Sequence, residues 1–379
     1  MTRTRARHGV ALLATLVALA LIAVLVTGAL FAAARDMRET GAQAAQLRAR
    51  NVAEGGLAAA VNAWDRRRNV RMRVGEVAVT SIALADGLAR IRITRLGRLL
   101  FHVESESAVP AGSGLEARRH ASLAVRLAIA EVDAAAAFTT AGRVTVGGLA
   151  SVSGLDSAPS SWTECAAAGG SSAAAIAVPA ERDVTVEPGA VLSGARPVLA
   201  TPAAGAAETY ARFGGASWLA LARDADVQVN GFVPHSPTPR ADAASCVLDA
   251  GSWGEPLRGF GAESRCVDAF PVIHVANARP LRLRGPARGQ GVLLVDGDLE
   301  VEGDVRFDGV IVVRGAVRAT AGSLRVNGAM LVADGAAGAG STLGGRSRVT
   351  MSSCAIAQSL LGAARPMPLA RRARVEVQR

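Results

Sequence analysis

The chain has 379 residues, 50% of them hydrophobic but only 3% aromatic, and a formal net charge of +10. All 42 basic residues are arginine, and the absence of lysine excludes P-loops, Ser-Lys pairs and Schiff-base chemistry outright. The arginines are scattered, with no aromatics between them to stack bases, so the charge reads as a coding bias and no nucleic-acid partner is expected.

The length leaves room for about two domains beyond any membrane segment. With so few aromatics, their cores must be built from Ala, Val and Leu with many glycines, which suits thin, repetitive packing better than a deep cleft. Residues 1–9 form a basic leader with Arg3, Arg5, Arg7 and His8. Val10–Ala34 follows without a single charge, and Arg35-Asp36 closes it. A helix crosses a bilayer with about 20 apolar residues, so this stretch is long enough to be a transmembrane span. Ala32-Ala33-Ala34 offers a signal-type cleavage site, but the apolar run is long for a secretory signal. Nothing breaks the helix afterwards: Arg35 to Trp64 contains no proline and is rich in Ala, Arg, Gln, Glu and Leu. One retained helix is therefore expected over residues 10–64. Its apolar positions are read as Leu47, Leu57, Ala58, Val61 and Trp64. Glu54 falls between Leu47 and Val61 at heptad spacing. It is either a register contact to a neighbouring helix or a solvated carboxylate at the stripe's edge.

The leader ending in Gly9, the apolar helix and the segment Ala53-Glu54-Gly55-Gly56-Leu57 resemble the N-terminus of type IV pilin-like proteins. The likeness is greatest to PilX-type minor pilins and to the large minor pseudopilin of type II secretion. It covers about 60 residues. It implies prepilin-type processing between Gly9 and Val10, with methylation of the new terminus, and assembly through Glu54 and the helix. It also implies a small β-sheet packed on the outer half of that helix. The partners implied are other pilin-like subunits and the pilus assembly machinery. Val10 and Ala14 depart from the residues usual at those positions, Ala14 replacing a glutamate, which fits a minor component better than a major pilin. The basic leader places the N-terminus in the cytoplasm and the body in the periplasm, anchored in the inner membrane by a single pass.

From Val74 the period changes to two. Val74–Val79, Leu88–Ile93, Leu99–Val103 and Leu123–Ile129 alternate as antiparallel strands, with a Ser/Pro/Gly-rich loop at Ser105–Gly114. Residues 65–135 are read as the pilin-like sheet.

Glycines then recur at Gly285, Gly291, Gly297, Gly303, Gly309, Gly315, Gly322, Gly328 and Gly335, six or seven apart. Leu293, Val295, Leu299, Val301, Val305, Phe307, Ile311, Val313 and Val317 form an apolar set. Asp296 to Arg318 at even positions form a charged one. A fixed short period signals a solenoid, and about eighteen residues per turn of three sides suits a parallel β-helix. Fainter echoes occur at Gly142–Gly154, Val184–Gly194 and Val227–Gly231. Residues 136–345 are read as an irregular parallel β-solenoid with loops at 156–182, 195–216 and 233–265; an antiparallel β meander is the alternative. Residues 346–379 are read as a C-terminal cap, the helix and sheet covering the other end. The fold class is thus α+β.

Cys165, Cys246, Cys266 and Cys354 have neither CxxC spacing nor a histidine at ligand distance, so zinc is not expected. Two disulfides suit a non-cytoplasmic body. Three pairings exist, with Cys246–Cys266 the nearest pair and Cys165–Cys354 its complement; four buried thiols are the other reading. Asp296, Asp298 and Glu300 head an acidic row that is either a calcium site or a solvated face that discourages edge pairing. No other cofactor is expected. No GxSxG or GxGxxG motif occurs. His102, His120, His235 and His274 are isolated, and His274 has no acidic neighbour in sequence. The chain is therefore read as a structural protein, not an enzyme. A membrane-anchored β-helix with a surface-binding role, and an enzyme acting on envelope polysaccharide, are the competing functions.

Overall fold

In the computed structural model the described residues are 8–112, 115–159, 162, 165, 172–230, 236–243, 245–259, 261–276, 279–334, 340–369 and 375–377. The chain has an α+β layout with a long N-terminal helix and strand-rich sheets. It divides into two compact units, the first made of residues 1–64, 72–126 and 366–379, the second of residues 65–71 and 127–365.

In the first unit, α1 runs unbroken over His8–Asn62. Absence of proline and abundance of Ala and Leu allow this length. Four antiparallel strands, β1 (Val77–Leu84), β2 (Gly87–Arg95), β3 (Leu100–Gly112) and β4 (Leu115–Ala128), form a meander. Strands from the chain's end, Arg365–Pro368 and Val375–Val377, pair with β4. Period-2 alternation holds as read: Ala89, Ile91 and Ile93 are buried, as are Phe101 and Val103. The expected loop at Ser105–Gly114 is instead largely strand, since β3 continues to Gly112. Ser105 and Ser107 sit at inward positions facing the helix, where the Ser107 hydroxyl donates to the Ala49 carbonyl at 2.6 Å. Pro110 is accommodated at a register shift near the hairpin's tip.

The helix meets this sheet along Ala45, Ala49, Val52, Ala53, Leu57, Ala60 and Trp64, all buried. This seam differs from the expected stripe, because Leu47 is 62% exposed and Ala58 is also exposed. Small side chains let the backbone approach closely. A Cβ on Gly56 would lie 2.5 Å from both Ala89 Cβ and Ser105 Oγ. Burial here follows closeness of contact more than side-chain hydrophobicity.

In the second unit the strands, in chain order, are β5 (Ala136–Thr140), β6 (Val144–Val146), β7 (Ser151–Ser153), β8 (Ala174–Val178), β9 (Val184–Val186), β10 (Val191–Ser193) and β11 (Arg196–Ala200). After two short hairpin strands, β12 (Arg212–Phe213) and β13 (Ala216–Ser217), comes β14 (Val227–Val229). A second hairpin, β15 (Arg240–Ala241) with β16 (Cys246–Val247), precedes β17 (Val272–Val275), β18 (Leu281–Leu283), β19 (Ala287–Val295) and β20 (Leu299–Val301). Then follow β21 (Asp304–Val313), β22 (Val317–Ala319), β23 (Ser323–Val332), β24 (Ser341–Leu343) and β25 (Arg348–Met351). Apart from the two hairpins, all these strands pair in parallel, in two unclosed sheets. Val272 pairs with Val292, Val292 with Val310, and Val310 with Ala329, so the chain returns to the same position every 18 to 20 residues. Gly291, Gly309 and Gly328 stand in register and bend the three long strands.

The order of these turns is not the order of the sequence. From β14 the ladder runs through β17, β19 and β21 to β23. It then continues not into new chain but back to the beginning: β5 pairs with β23, β6 with β24, and β7 with β25. From there β8, β9 and β10 extend it outward. Residues 201–226 therefore carry the chain from one extremity of the ladder to the other. They fold as three short helices, α2 being reserved for the separate Arg66–Arg71: α3 (Pro202–Gly205), α4 (Glu208–Ala211) and α5 (Trp218–Arg223).

Two expectations change. Residues 156–182 and 195–216, read as loops, contain β8 and β11; the alanines of β8, all buried, carry little strand propensity and conceal it. Residues 346–379, read as a cap, divide instead: β25 is inside the ladder between β23 and β7, and α6 (Ser353–Gly362) packs on β19, β21 and β23. The apolar set from Leu293 to Val317 is buried as read, in one continuous core.

Candidate functional site

The first candidate is the free half of α1. From Leu12 to Phe31 every large apolar side chain is more than half exposed, and the segment reaches a mean hydropathy of 2.7. This is a helix long and apolar enough to cross a membrane. Its two hydroxyls are satisfied internally, Thr15 donating to the Leu12 carbonyl and Thr27 to that of Ala23. Such internal bonding is what a lipid environment requires. Gly9 and Val10 belong to the helix backbone, while the Val10 side chain lies outside the described residues. Glu54 is exposed and paired with Arg50 at 3.1 Å, one turn earlier on the helix. It lies off the buried seam, since its neighbours Ala53 and Leu57 are turned to the sheet and Glu54 is not.

The four cysteines form Cys165–Cys354 and Cys246–Cys266. The first joins α6 to Cys165, and Trp162 in the same cluster packs edge-to-face on Phe270 at 5.4 Å. The second ties β16 to the turn Ser264–Cys266, and both cysteines cluster with Ala269.

The acidic row is engaged by arginines of the adjacent turns. Glu300 accepts from Arg282 at 2.6 Å, Asp298 from Arg318 at 2.6 Å, and Glu302 pairs with Arg284 at 2.9 Å. Asp298 also accepts from the Ala316 amide. Asp296 stands 3.1 Å from His274 and 3.6 Å from Arg314. The Asp298 hydrogen bond holds the Arg318 guanidinium above its usual range. Alternating signs between neighbouring turns account for the row. Asp296, Asp298 and Glu300 are not brought together as a calcium ligand set. Among the described residues no group of three or more His, Cys, Asp or Glu side chains is arranged to hold a metal ion.

His274 is the histidine the sequence treats as isolated, yet the parallel register sets Asp296 beside it. Its ring is largely buried, edge-on to Trp218 at 6.2 Å, and Arg314 lies over that indole at 5.5 Å. His102 and His120 are surface residues near Glu104 and Glu106. His235 lies outside the described residues.

A buried polar column was not legible as such. Gln290, Asp308 and Asn327 stand in register one residue before the bending glycines. Asp308, read as part of the charged face, is fully buried. It accepts from Asn327 at 2.7 Å and from Arg306 at 3.2 Å. Burial pushes its carboxyl above the ordinary range, against the pull of Arg306. Residues 253–259 and 261–269 cover this column. Trp253 bridges to Gly289, and the Gln290 carboxamide donates to the carbonyls of Val267 and Ala269. Fully buried Glu255 pairs with Arg288 at 3.1 Å in the same layer. Nothing in the sequence sets these positions apart, because a polar residue precedes every glycine of the repeat except Gly322. No family model, no curated protein and no solved structure matches this chain.

Proposed function

We propose that the protein is a minor pilin-like structural component of a type IV pilus or a related secretion pseudopilus. One observation carries the reading: a single 55-residue helix whose first half is apolar and unburied and whose second half is seamed to an antiparallel sheet. Such a helix serves two environments in turn. In the membrane its apolar half faces lipid; in a fibre the same surface faces the helices of neighbouring subunits, with little change in polarity. The anchor is a single pass through the inner membrane with the N-terminus cytoplasmic and the body periplasmic. The parallel ladders of the body are an irregular β-solenoid, rigid enough to stand at or near a fibre tip. The chain's role is assembly rather than catalysis.

Sequencing the N-terminus of the mature protein from membrane fractions tests this. Val10 is the expected residue, by cleavage after Gly9. A protein starting near Arg35 would have lost the assembly element and would overturn the proposal. Co-purification with other pilin-like subunits separates it from a β-helix surface protein that uses the helix only as an anchor.

A further inference from the structure

The second unit contains a cavity of about 540 Å³ that neither the pilin-like reading nor the ladder uses. Its floor is apolar, made by Val267, Phe270, Pro271 and Leu361. Its polar lining holds three guanidiniums, Arg66, Arg71 and Arg258, against two carboxylates, Asp226 and Asp268. The surplus is one positive charge. The charges are not equivalent. Arg66 is tied to Asp226 at 2.5 Å, and the other oxygen of Asp226 accepts from the Val272 amide at 2.9 Å, so that pair is structural. Arg71 meets Asp268 only at 3.7 Å, with both side chains half exposed. The Arg258 guanidinium is stacked 4.6 Å over the Trp162 ring and donates to the Glu255 carbonyl at 2.7 Å.

The walls are preformed. Phe270 is held by Trp162 and the Cys165–Cys354 cluster. Gly362 on α6 is so close to Phe270 that a Cβ there would fall 2.4 Å from its carbonyl oxygen. Val267 and Asp268 follow directly on Cys266, whose disulfide pins that segment. A pocket of this size with an apolar floor and a few convergent charges is the usual form of a small-molecule site. Rigid walls lower the ordering cost of binding.

We propose that this cavity binds a small organic carboxylate with an apolar body. The body packs on Phe270, Pro271 and Leu361, and the anion is met by Arg71 and Arg258, since guanidinium–carboxylate bonds are the strong charge-assisted kind. The full-length chain in lipid nanodiscs is titrated with 4-(trifluoromethyl)benzoate and followed by fluorine NMR line broadening, with empty discs as the reference. The neutral twin, 4-(trifluoromethyl)benzamide, is titrated in parallel. Saturable broadening by the carboxylate is expected, with the amide about tenfold weaker, the size of one charge-assisted hydrogen bond. Arg71→Gln, at a half-exposed position, is expected to abolish the preference for the carboxylate. Gln358→Trp, which fills the cavity from α6, is expected to abolish binding while leaving the melting temperature near wild type. Broadening no greater than with empty discs, equal binding of the two twins, or unchanged binding in a folded Gln358→Trp variant would each overturn the proposal.

Discussion

Gly309 illustrates how single positions set the ladder. Its φ is 140°, and a Cβ there would lie 2.1 Å from the Gly291 carbonyl oxygen and 2.3 Å from Ser359 Oγ. Gly309→Ala combines backbone strain with a clash that neither strand nor α6 can relieve, and is expected to cost about 3 kcal/mol. Gly261 has a φ of 79° but open space around it, so Gly261→Ala isolates the backbone cost, about 1 kcal/mol. Denaturant titration of both variants separates the two contributions. Asp308 offers a pH test. Its native carboxyl titrates above the ordinary 3.8, raised by burial despite Arg306. The native state therefore holds a proton that the unfolded state releases. The associated stability is fully present below the unfolded value and is lost as pH rises through the native one. Asp308→Asn lacks this loss. The melting-temperature difference between variant and wild type is expected to move in the variant's favour as pH rises above 3.8; a difference independent of pH would refute it.

At the scale of elements, α1 is held to its sheet by what it lacks. Gly56→Val inserts an isopropyl group into a gap already closed by Ala89 and Ser105, and about 1–3 kcal/mol of destabilisation is expected. Ala58→Leu, on the exposed face, is expected to change stability by less than about 0.5 kcal/mol. Thermal melts distinguish the two. This is also where sequence reading succeeds and fails. The helix, the alternating strands around Ile91 and Val103 and the glycine-ruled turns are legible because each is a local period. The seam is not, because hydrophobicity picks out Leu47, whereas close packing selects Ala49, Ala53 and Gly56. The alanines of β8 hide a strand for the same reason. The Asp296–His274 pair and the cavity rest on residues joined only by register or by folding, and no local pattern announces them. The disulfides are elements of another kind. Chain entropy alone assigns about 3 kcal/mol to Cys246–Cys266, which spans 20 residues, and about 5 kcal/mol to Cys165–Cys354, which spans 189. Double Cys→Ser variants of each pair, compared by denaturant midpoint, are expected to follow that order.

For the second unit as a whole, position in the ladder should govern local stability. Strands β21 and β23 have partners on both sides and a continuous apolar core, whereas β11 and β14 pair on one side only. Amide hydrogen exchange is expected to be slowest in β21 and β23 and fastest at β11 and β14; uniform protection along the ladder would contradict this. Pro188 and Pro197 stand at the outer turn, where a missing donor discourages another chain from adding a strand. The re-entrant order of the ladder has a kinetic consequence. Phe138 pairs with Met330, and Val146 with Leu343, so β5 and β6 must wait for β23 and β24, which are synthesised far later in the chain. Contacts so distant in sequence close slowly. During that interval β5 and β6 present unpaired edges. The nascent body is thus exposed to misassociation until β23 and β24 arrive, and its yield in the cell should depend on a holding chaperone more than on the stability of the finished fold.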